Sequence, residues 1–185
     1  MIEGGASHVP PAIQPDDAPD GAVARAMHGR EPSKEAYMIV LDLMTRECAS
    51  VTTQDSLSVA AGRMWEKDCG ALPVLEGDVV VGMLTDRDIC MATWSRGLPP
   101  DGIRVVDAMS TKLVTCTTGD SIKQVEAAMR SQQVRRLPVV DGEGHLLGII
   151  SLADIVQRES GNGVATTLAG ICQRSPSPAA IAAQA

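Results

Sequence analysis

The sequence predicts an α/β (α+β) fold in which two copies of one five-element unit pack about a pseudo-two-fold axis. The first observation is a doubled stretch, because residues 72–89 and 137–155 share their apolar pattern and their turn. Leu72 and Leu137 are 65 residues apart, and the spacing becomes 66 between Gly82 and Gly148. The second observation is that the signals for strand, helix, strand, strand and helix follow in the same order in each copy. One extra residue is tolerated in a solvated turn, so the two stretches indicate an internal duplication.

The first half of each unit predicts a short strand followed by a helix. A β-branched run at 51–53, and its counterpart at 114–116, predicts the strand. An Asp-Ser pair at 55–56 and at 120–121 then predicts the N-cap of the helix. Apolar residues at helical spacing give each of these helices one buried face. They are Leu57, Ala60, Ala61 and Met64 in the first copy, and Ile122, Val125 and Met129 in the second.

The second half of each unit predicts two strands and a second helix. Two apolar strands are joined by an acidic-glycine turn in both copies. The second of these strands ends in a hydroxyl residue, Thr85 in one copy and Ser151 in the other. Each hydroxyl can cap a helix, which we expect to begin at Asp86 and Leu152. The first of these helices ends before Gly97, because glycine suits the left-handed position after a helix.

The rest of the sequence divides the chain around the two repeats. Residues 1–36 are rich in Pro, Gly, Ala and Asp, which predicts a flexible N-terminal tail. The other predicted parts are a first repeat over 37–97, a linker over 98–103, a second repeat over 104–158 and a C-terminal segment over 159–185. Each repeat opens with a lead-in segment, 38–45 and 104–110, that predicts extended chain and then a helical turn. The C-terminal segment predicts a short helix and a frayed end. The apolar residues of this helix, Leu168, Ile171 and Cys172, must be covered by its own module or by a partner's.

Composition excludes several classes of partner and location. The chain has a formal charge of −7 and a pI near 4.9, which argues against binding to nucleic acid or to an anionic membrane. Residues 1–20 have neither a basic start nor an apolar core, so they do not resemble a signal peptide. No apolar stretch reaches the length of a membrane span. These observations predict a cytoplasmic protein.

The metal-ligating residue types show no clustered pattern in the sequence. Five cysteines are an odd number and form no CxxC motif, so we expect small buried thiols in preference to a metal or redox site. His8, His28 and His145 are scattered, and a zinc site would need ligands from different repeats or different chains. The sequence therefore predicts no metal site. It also shows no catalytic constellation, such as a Ser-His-Asp arrangement, a P-loop or a Rossmann fingerprint, and predicts a protein that is not an enzyme.

The doubled unit and its last junction resemble the CBS domain family. The junction pattern is Gly-hydrophobic-hydrophobic-Ser/Thr-x-x-Asp, at 82–88 and again at 148–154, and the resemblance covers roughly residues 38–158. Paired copies in that family form a Bateman module. The chain is similar in length and motifs to small stand-alone bacterial CBS proteins. The resemblance implies a regulatory or sensing module with a stress or energy-state role, which signals through an unknown partner protein.

The two junctions are the candidate binding sites. A hydroxyl at Thr85 or Ser151 and the free backbone N–H groups of a helix start suit an anion such as a phosphate. The resemblance implies an adenosine ligand (AMP, ADP, ATP or S-adenosylmethionine) whose ribose diol is held by Asp88 or Asp154 and whose adenine lies in an apolar slot between strands. The alternative is that the same residues only cap helices and favour the helix dipole. The sequence leaves both interpretations open.

Basic residues distinguish the second junction from the first. Arg135 and Arg136 precede a strand at the position where the first repeat has Gly70 and Ala71. The resemblance implies that basic residues there contact ligand phosphates, for which guanidinium is well suited. Alternatively, the arginines balance nearby acids. Arg87 is a further candidate in the first junction, where the neighbouring Asp86 opposes a polyphosphate. We therefore expect unequal sites.

Two functional hypotheses and one assembly follow. The chain is either a nucleotide-sensing module or a structural adaptor, possibly metal-binding, without a nucleotide ligand. The resemblance implies a disc-like homodimer of two modules joined through helices. The residues in question are Met64 with Trp65 and Met91 with Trp94, which we expect to form exposed apolar patches.

Overall fold

The structure of the chain is a computed structural model that describes residues 38–158 and 168–172. The predicted N-terminal tail and the frayed C-terminal end lie outside the described residues. The helices are α1 (Val40–Leu43), α2 (Leu57–Glu66), α3 (Asp86–Arg96), α4 (Ile122–Gln132) and α5 (Leu152–Arg158). The strands are β1 (Val51–Thr52), β2 (Ala71–Glu76), β3 (Val79–Thr85), β4 (Arg136–Val140) and β5 (Leu146–Ser151). Short 3₁₀ turns occupy Pro100–Gly102 and Val105–Asp107. None of the described helices is long and apolar enough to cross a membrane.

The mixture of helix and strand confirms the predicted α+β class, and each repeat has its own sheet. In the first repeat β1 lies parallel to β2, and β2 pairs antiparallel with β3. In the second repeat β4 and β5 form the corresponding antiparallel pair. The strand predicted at 114–116 is wrong in extent, because only Cys116 pairs, through one bridge to Val139. The N–H of Thr117 donates to the Asp120 carboxylate at 2.7 Å instead, which ends the ladder after a single residue.

The helices begin and end where the sequence predicted. Ser56 and Ser121 cap α2 and α4, since each hydroxyl oxygen accepts the N–H three residues later. Gly97 ends α3 with φ of +63°, in the left-handed region that glycine adopts without steric cost. The predicted apolar faces point inward, with Ala61 alone only partly buried. The fully or nearly fully buried members are Leu57, Ala60, Met64, Ile122, Val125 and Met129.

The buried residues form two cores, and each core includes the lead-in segment of the other repeat. Val40, from the lead-in segment of the first repeat, is fully buried in the core of the second. Val105, from the lead-in segment of the second repeat, is fully buried in the core of the first. The two repeats therefore exchange their lead-in segments, a feature that the sequence did not predict. The exchange joins them into one folded unit.

Hydrogen bonds repeat this exchange in both directions. Val40 N–H donates to the carbonyl of Asp120 at 2.9 Å, and Val105 N–H donates to the carbonyl of Asp55 at 2.8 Å. Donors and acceptors in the two bonds are each related by the same spacing of 65 residues. The bridges of Thr45 to Ile149 and of Ser110 to Met83 form a second reciprocal pair. Such reciprocity is what a pseudo-two-fold axis between the repeats produces.

Gly82 and Gly148 are glycines because the exchanged segments pass directly over them. A Cβ at Gly82 would lie 2.8 Å from the carbonyl oxygen of Ser110, and one at Gly148 would lie 2.5 Å from that of Thr45. Any side chain at either position would therefore displace the lead-in segment of the other repeat.

The repeats also meet at the ends of their hairpins. Val80 N–H donates to the carbonyl of Gly144 at 3.0 Å, and Leu146 N–H donates to that of Asp78 at 3.3 Å. At the other side of the second repeat, residues 168–171 form a helical turn whose Ile171 is buried in the second core. The last apolar segment is thus covered by its own module rather than by a partner's.

Candidate functional site

The first junction joins the end of β3 to the start of α3. The hydroxyl of Thr85 donates to Oδ2 of Asp88 at 2.7 Å, and the N–H of Thr85 donates to the same oxygen at 2.9 Å. In return, the N–H of Asp88 donates to the Thr85 hydroxyl oxygen at 3.2 Å. Both side chains are half-buried. This reciprocal capping box fixes the carboxylate in the first turn of the helix.

The second junction, between β5 and α5, has almost the same geometry. Ser151 donates to Oδ2 of Asp154 through its hydroxyl at 2.7 Å and through its N–H at 2.8 Å. The Asp154 N–H donates back to the Ser151 hydroxyl oxygen at 3.3 Å. Both side chains are again half-buried. The local arrangement of hydroxyl and carboxylate therefore does not distinguish the two junctions.

Capping alone uses one oxygen of each carboxylate. Among the described residues, no N–H or O–H hydrogen bond reaches Oδ1 of Asp88 or of Asp154. That oxygen can accept a hydroxyl of a ribose without breaking the cap. A third capping box at the start of α4, between Ser121 and Gln124, shows that such a box also occurs without a carboxylate. The cap is consistent with both interpretations of the junctions, and the residues around them must decide.

Arg135 and Arg136 lie beside the second junction. The carbonyl of Arg135 accepts the N–H of Leu152, the first residue of α5, at 2.9 Å. Arg136 is the register partner of Ser151 in the β4–β5 pair. Both arginines are exposed, and neither forms an ion pair with any acid in the described part of the chain. The structure thus gives no support to the alternative that they balance nearby acids.

The first junction has the opposite surroundings. Asp86 begins α3, and its N–H donates to the carbonyl of Gly70 at 3.2 Å, the counterpart of the bond between Leu152 and Arg135. An oxygen of the Asp86 carboxylate would lie 3.1 Å from a Cβ at Gly70. Arg87 is exposed, and its N–H donates to the Asp86 carboxylate at 2.7 Å. The first junction therefore has a carboxylate where the second has guanidinium groups.

The predicted residues accordingly form two groups. One group is Thr85, Arg87 and Asp88 at the first junction, and the other is Arg135, Arg136, Ser151 and Asp154 at the second. The sequence left open which hydroxyl the arginine pair accompanies. The β4–β5 register settles the neighbour, because the start of one strand lies opposite the end of the other.

A cluster of possible metal ligands, which the sequence analysis missed, lies in the β4–β5 turn. Ligand atoms of Asp141, Glu143 and His145 lie within 4.8 Å of one another. The search for a histidine site considered ligands from different repeats, whereas these three come from one turn. Their alternation in the sequence was the available signal. A cavity of about 440 Å³ adjoins His145, and none of the predicted site residues lines it.

His145 and Asp141 form the strongest electrostatic pair in this turn. Nδ1 of His145 lies 2.9 Å from Oδ2 of Asp141, and 3.5 Å from a carboxylate oxygen of Glu143. The hydrogen bond with His145 lowers the pKa of Asp141, and the same bond raises the pKa of His145. The imidazole is therefore protonated more readily than an isolated histidine.

The prediction that the cysteines are buried holds only for Cys116. Burial raises the pKa of its thiol to about 12, so this cysteine stays protonated and unreactive near neutral pH. Cys48 and Cys69 are half-buried, and Cys90 and Cys172 are exposed. The expectation fails because the helix α3 turns Cys90 toward solvent and residue 172 follows the last buried position of its turn.

Comparisons with known proteins match both repeats. A model of the CBS domain family matches residues 40–94 and 105–161. CBS domain-containing protein YhcV of Bacillus subtilis is 39% identical over 124 residues, which cover 66% of this chain and 86% of that protein. Hypoxic response protein 1 of Mycobacterium tuberculosis is 33% identical over 142 residues, which cover 76% of this chain and 96% of that protein. The predicted similarity to small stand-alone CBS proteins is therefore confirmed.

Solved structures show the same fold. Hypoxic Response Protein I with two coordinated zinc ions matches with a TM-score of 0.60 and 33% identity, over 66% of this chain and all of that one. The CBS domain pair of protein MJ0100, in complex with 5-methylthioadenosine and S-adenosyl-L-methionine, has a TM-score of 0.60 at 20% identity. That match covers 65% of this chain and 94% of that one. Since the family match spans both repeats and more than half of the residues, this chain belongs to the CBS domain family and carries two CBS domains in tandem.

Proposed function

We propose that this protein is a non-catalytic regulatory module of the cytoplasm, which binds an adenine nucleotide and signals through a partner protein. The observation that carries the proposal is the position of Arg135 and Arg136 beside the Ser151–Asp154 junction. An acidic chain needs local positive charge to attract a phosphate, and these unpaired guanidinium groups supply it. We further propose that the protein acts as a homodimer.

Each group at the second junction has a distinct task in this proposal. The guanidinium groups of Arg135 and Arg136 form paired, charge-assisted hydrogen bonds to phosphate oxygens. Oδ1 of Asp154 accepts a hydroxyl of the ribose, while Oδ2 continues to cap α5. Leu152 and Ala153 add no charge of their own, so nothing at the helix start repels the phosphate.

The comparisons support the ligand class as a proposal. MJ0100 shares the fold of this chain and is solved with two adenosine-type ligands. The nucleotide itself is assigned from the chemistry of this chain, since phosphate is what an arginine pair binds best. We therefore favour AMP, ADP or ATP over S-adenosylmethionine, which has no phosphate.

Calorimetry on protein freed of copurified nucleotide tests this function. We expect one strong site per chain for a phosphorylated adenosine, because only one junction has the arginine pair. A charge-assisted hydrogen bond contributes about 1.5–3 kcal/mol. Arg135→Ala or Arg136→Ala should therefore weaken binding about tenfold or more. Absence of heat with AMP, ADP, ATP and S-adenosylmethionine would eliminate the sensing function in this form.

The matched control exploits the duplication. Asp154→Ala and Asp88→Ala remove the same carboxylate from the same capping box, so their structural costs should be alike. We expect Asp154→Ala to abolish tight binding and Asp88→Ala to leave it within about threefold of the original, which is less than 1 kcal/mol. Equal effects of the two substitutions would refute the role given to the arginine pair, while preserving nucleotide binding.

A metal-binding adaptor is the second candidate function, and one observation favours it. Asp141, Glu143 and His145 offer three ligand atoms of the nitrogen and oxygen types that zinc accepts. Hypoxic Response Protein I, a relative of this chain, is solved with two zinc ions. Calorimetry with zinc chloride should then show binding that His145→Ala removes and His8→Ala retains. Zinc binding that survives His145→Ala would exclude this turn as the site.

A further inference from the structure

The outward surface of α2 and α3 in the first repeat exposes large apolar side chains. Trp65 is 88% exposed and Trp94 is 78% exposed, and Val59 and Met91 are also exposed. We call these four residues the tryptophan face. Both helices bury their opposite sides in the first core, so the four residues lie on the outer surface of the same layer. Exposed apolar patches of this kind mark surfaces that bind another protein.

The second repeat shows that the fold itself does not require these residues. Their counterparts, at the spacings of 65 and 66 residues, are all polar. Val59 corresponds to Gln124, Trp65 to Arg130, Met91 to Gln157 and Trp94 to Ser160. Because the same helices form with polar residues at these positions, packing within the repeat cannot explain the apolar ones.

The equivalent surface of the second repeat is closed by the chain itself. Ile171 is buried in the second core, and the amide of Gln133 donates to the carbonyl of Gly170 at 3.2 Å. A Cβ at Gly170 would overlap the guanidinium group of Arg130, the counterpart of Trp65. Residues 168–171 thus lie over one repeat. No described residue covers the tryptophan face of the other.

The area of the tryptophan face suits a pair of copies. Burying a tryptophan removes about 150–250 Å² from water, so the exposed parts of four indoles amount to roughly 500–800 Å². Apolar atoms make up about 60% of a typical interface. The indoles alone therefore correspond to roughly 800–1,300 Å² of interface, and Val59 and Met91 extend it into the range of about 1,200–2,000 Å² of specific complexes.

The charges beside the tryptophan face permit two copies to approach. Glu66 and Lys67 follow Trp65, and Asp86 and Arg87 begin α3. These four residues carry two charges of each sign, although the whole chain carries a net charge of −7. A two-fold contact places the same surface on both sides, so a balanced surface can match itself where an acidic one would be repelled.

We propose that the tryptophan face is covered by the same face of a second copy, so that the homodimer is joined through its first repeats only. The second repeats, closed by residues 168–171, point away from the contact. This arrangement differs from the disc-like homodimer that the resemblance implied, in which both repeats contribute helices. The inference rests on the proposed homodimer and is independent of nucleotide binding.

The intrinsic fluorescence of the full chain tests the proposal, because Trp65 and Trp94 are its only tryptophans. We expect sedimentation to give a dimer mass at micromolar concentration, with blue-shifted tryptophan emission. On dilution, the dimer mass and the blue shift should disappear together. Trp65→Arg installs the residue of the second repeat and should yield a folded monomer, as verified by its circular dichroism. Gln157→Ala, at the counterpart of Met91, is the matched control and should leave the dimer unchanged.

Three outcomes would overturn the proposal. A monomer at micromolar concentration with solvent-exposed tryptophan emission would remove both the homodimer and its interface. A dimer whose tryptophans emit as if exposed to water would show that another surface joins the copies. A monomer with blue-shifted emission would show that a terminal segment of the same chain covers the face. Should Trp65→Arg fail to fold, the mass and emission of the unaltered protein still decide among these outcomes.

Discussion

His145 and Asp141 form an exposed pair at the β4–β5 turn, and each shifts the titration of the other. The Nδ1 to Oδ2 distance is 2.9 Å, and the mutual hydrogen bond raises the pKa of His145 and lowers the pKa of Asp141. A raised histidine pKa stabilises the fold at low pH, and this contribution is lost as the pH rises through the folded-state value. A lowered aspartate pKa stabilises the fold at high pH, and this contribution is lost as the pH falls through the folded-state value.

The pair is therefore expected to operate from below the ordinary pKa of aspartate, about 3.9, to above that of histidine, about 6.5. We expect NMR titration to give His145 a pKa above this ordinary value, and Asp141→Asn to return it there. Glu143→Gln should have a smaller effect, because its carboxylate lies farther away, at 3.5 Å. An unchanged His145 pKa in Asp141→Asn would contradict the assignment.

The capping boxes show how one residue pattern can serve both structure and binding. Ser or Thr with Asp three residues later is sufficient to begin a helix, and all three bonds of the box form at both junctions. Binding therefore depends on neighbours outside the box, of which Arg135 and Arg136 are the clearest. A junction motif alone predicts a helix start, and the charges beside it predict a ligand.

At the scale of elements, the close approach of each lead-in segment to a strand of the other repeat fixes a glycine. Gly148→Ala would place a methyl group against the backbone of Thr45 and the side chain of Met44. We expect a loss of about 1–3 kcal/mol in the free energy of unfolding, measured by urea denaturation. Gly82→Ala should cost less, since its nearest atoms lie at 2.8 and 3.0 Å rather than 2.5 and 2.6 Å.

Gly62→Ala provides the control for this prediction. Gly62 lies within α2, and a Cβ there meets no atom within 4 Å. Alanine should therefore raise the free energy of unfolding by about 0.5–1 kcal/mol, because it restricts the unfolded chain without a clash. Equal effects at Gly148 and Gly62 would show that the lead-in segment yields freely.

At the scale of the whole molecule, the exchange of lead-in segments makes each repeat depend on the other. Val40 is fully buried in the second core, although it precedes the first repeat's own strands. Val40→Ala should lower the free energy of unfolding by about 2 kcal/mol. Hydrogen exchange should show that the lost protection lies in α4 rather than in α2.

Leu41→Ala is the natural comparison for Val40→Ala. Leu41 is the adjacent residue on the same turn, and its side chain is exposed. Its replacement should therefore leave both the free energy of unfolding and the protection of α4 nearly unchanged. Loss of protection in α2 instead, after Val40→Ala, would contradict the exchange of segments.

The sequence by itself determined the elements and their order. Strand alternation, helical spacing and the Ser or Thr caps act over two to four residues, so the limits of α2, α3 and α4 follow from local chemistry. The duplication also predicted the pseudo-two-fold relation, and it placed the candidate residues at two equivalent helix starts. Composition determined that the core is built from aliphatic and methionine side chains, since phenylalanine is absent.

The tertiary structure alone decided which partner each segment chose. The lead-in segments carry the same pattern, so local preferences are satisfied equally by packing on either repeat, and only the complete three-dimensional contact selects the exchange. The same holds for exposure: Met64 and Trp65 are adjacent apolar residues on one helix, yet Met64 is buried and Trp65 is exposed. The expectation that Met64 belongs to an exposed patch is therefore wrong. A helix turns about 100° per residue, and which of its sides faces the core is set by the sheet against which it packs.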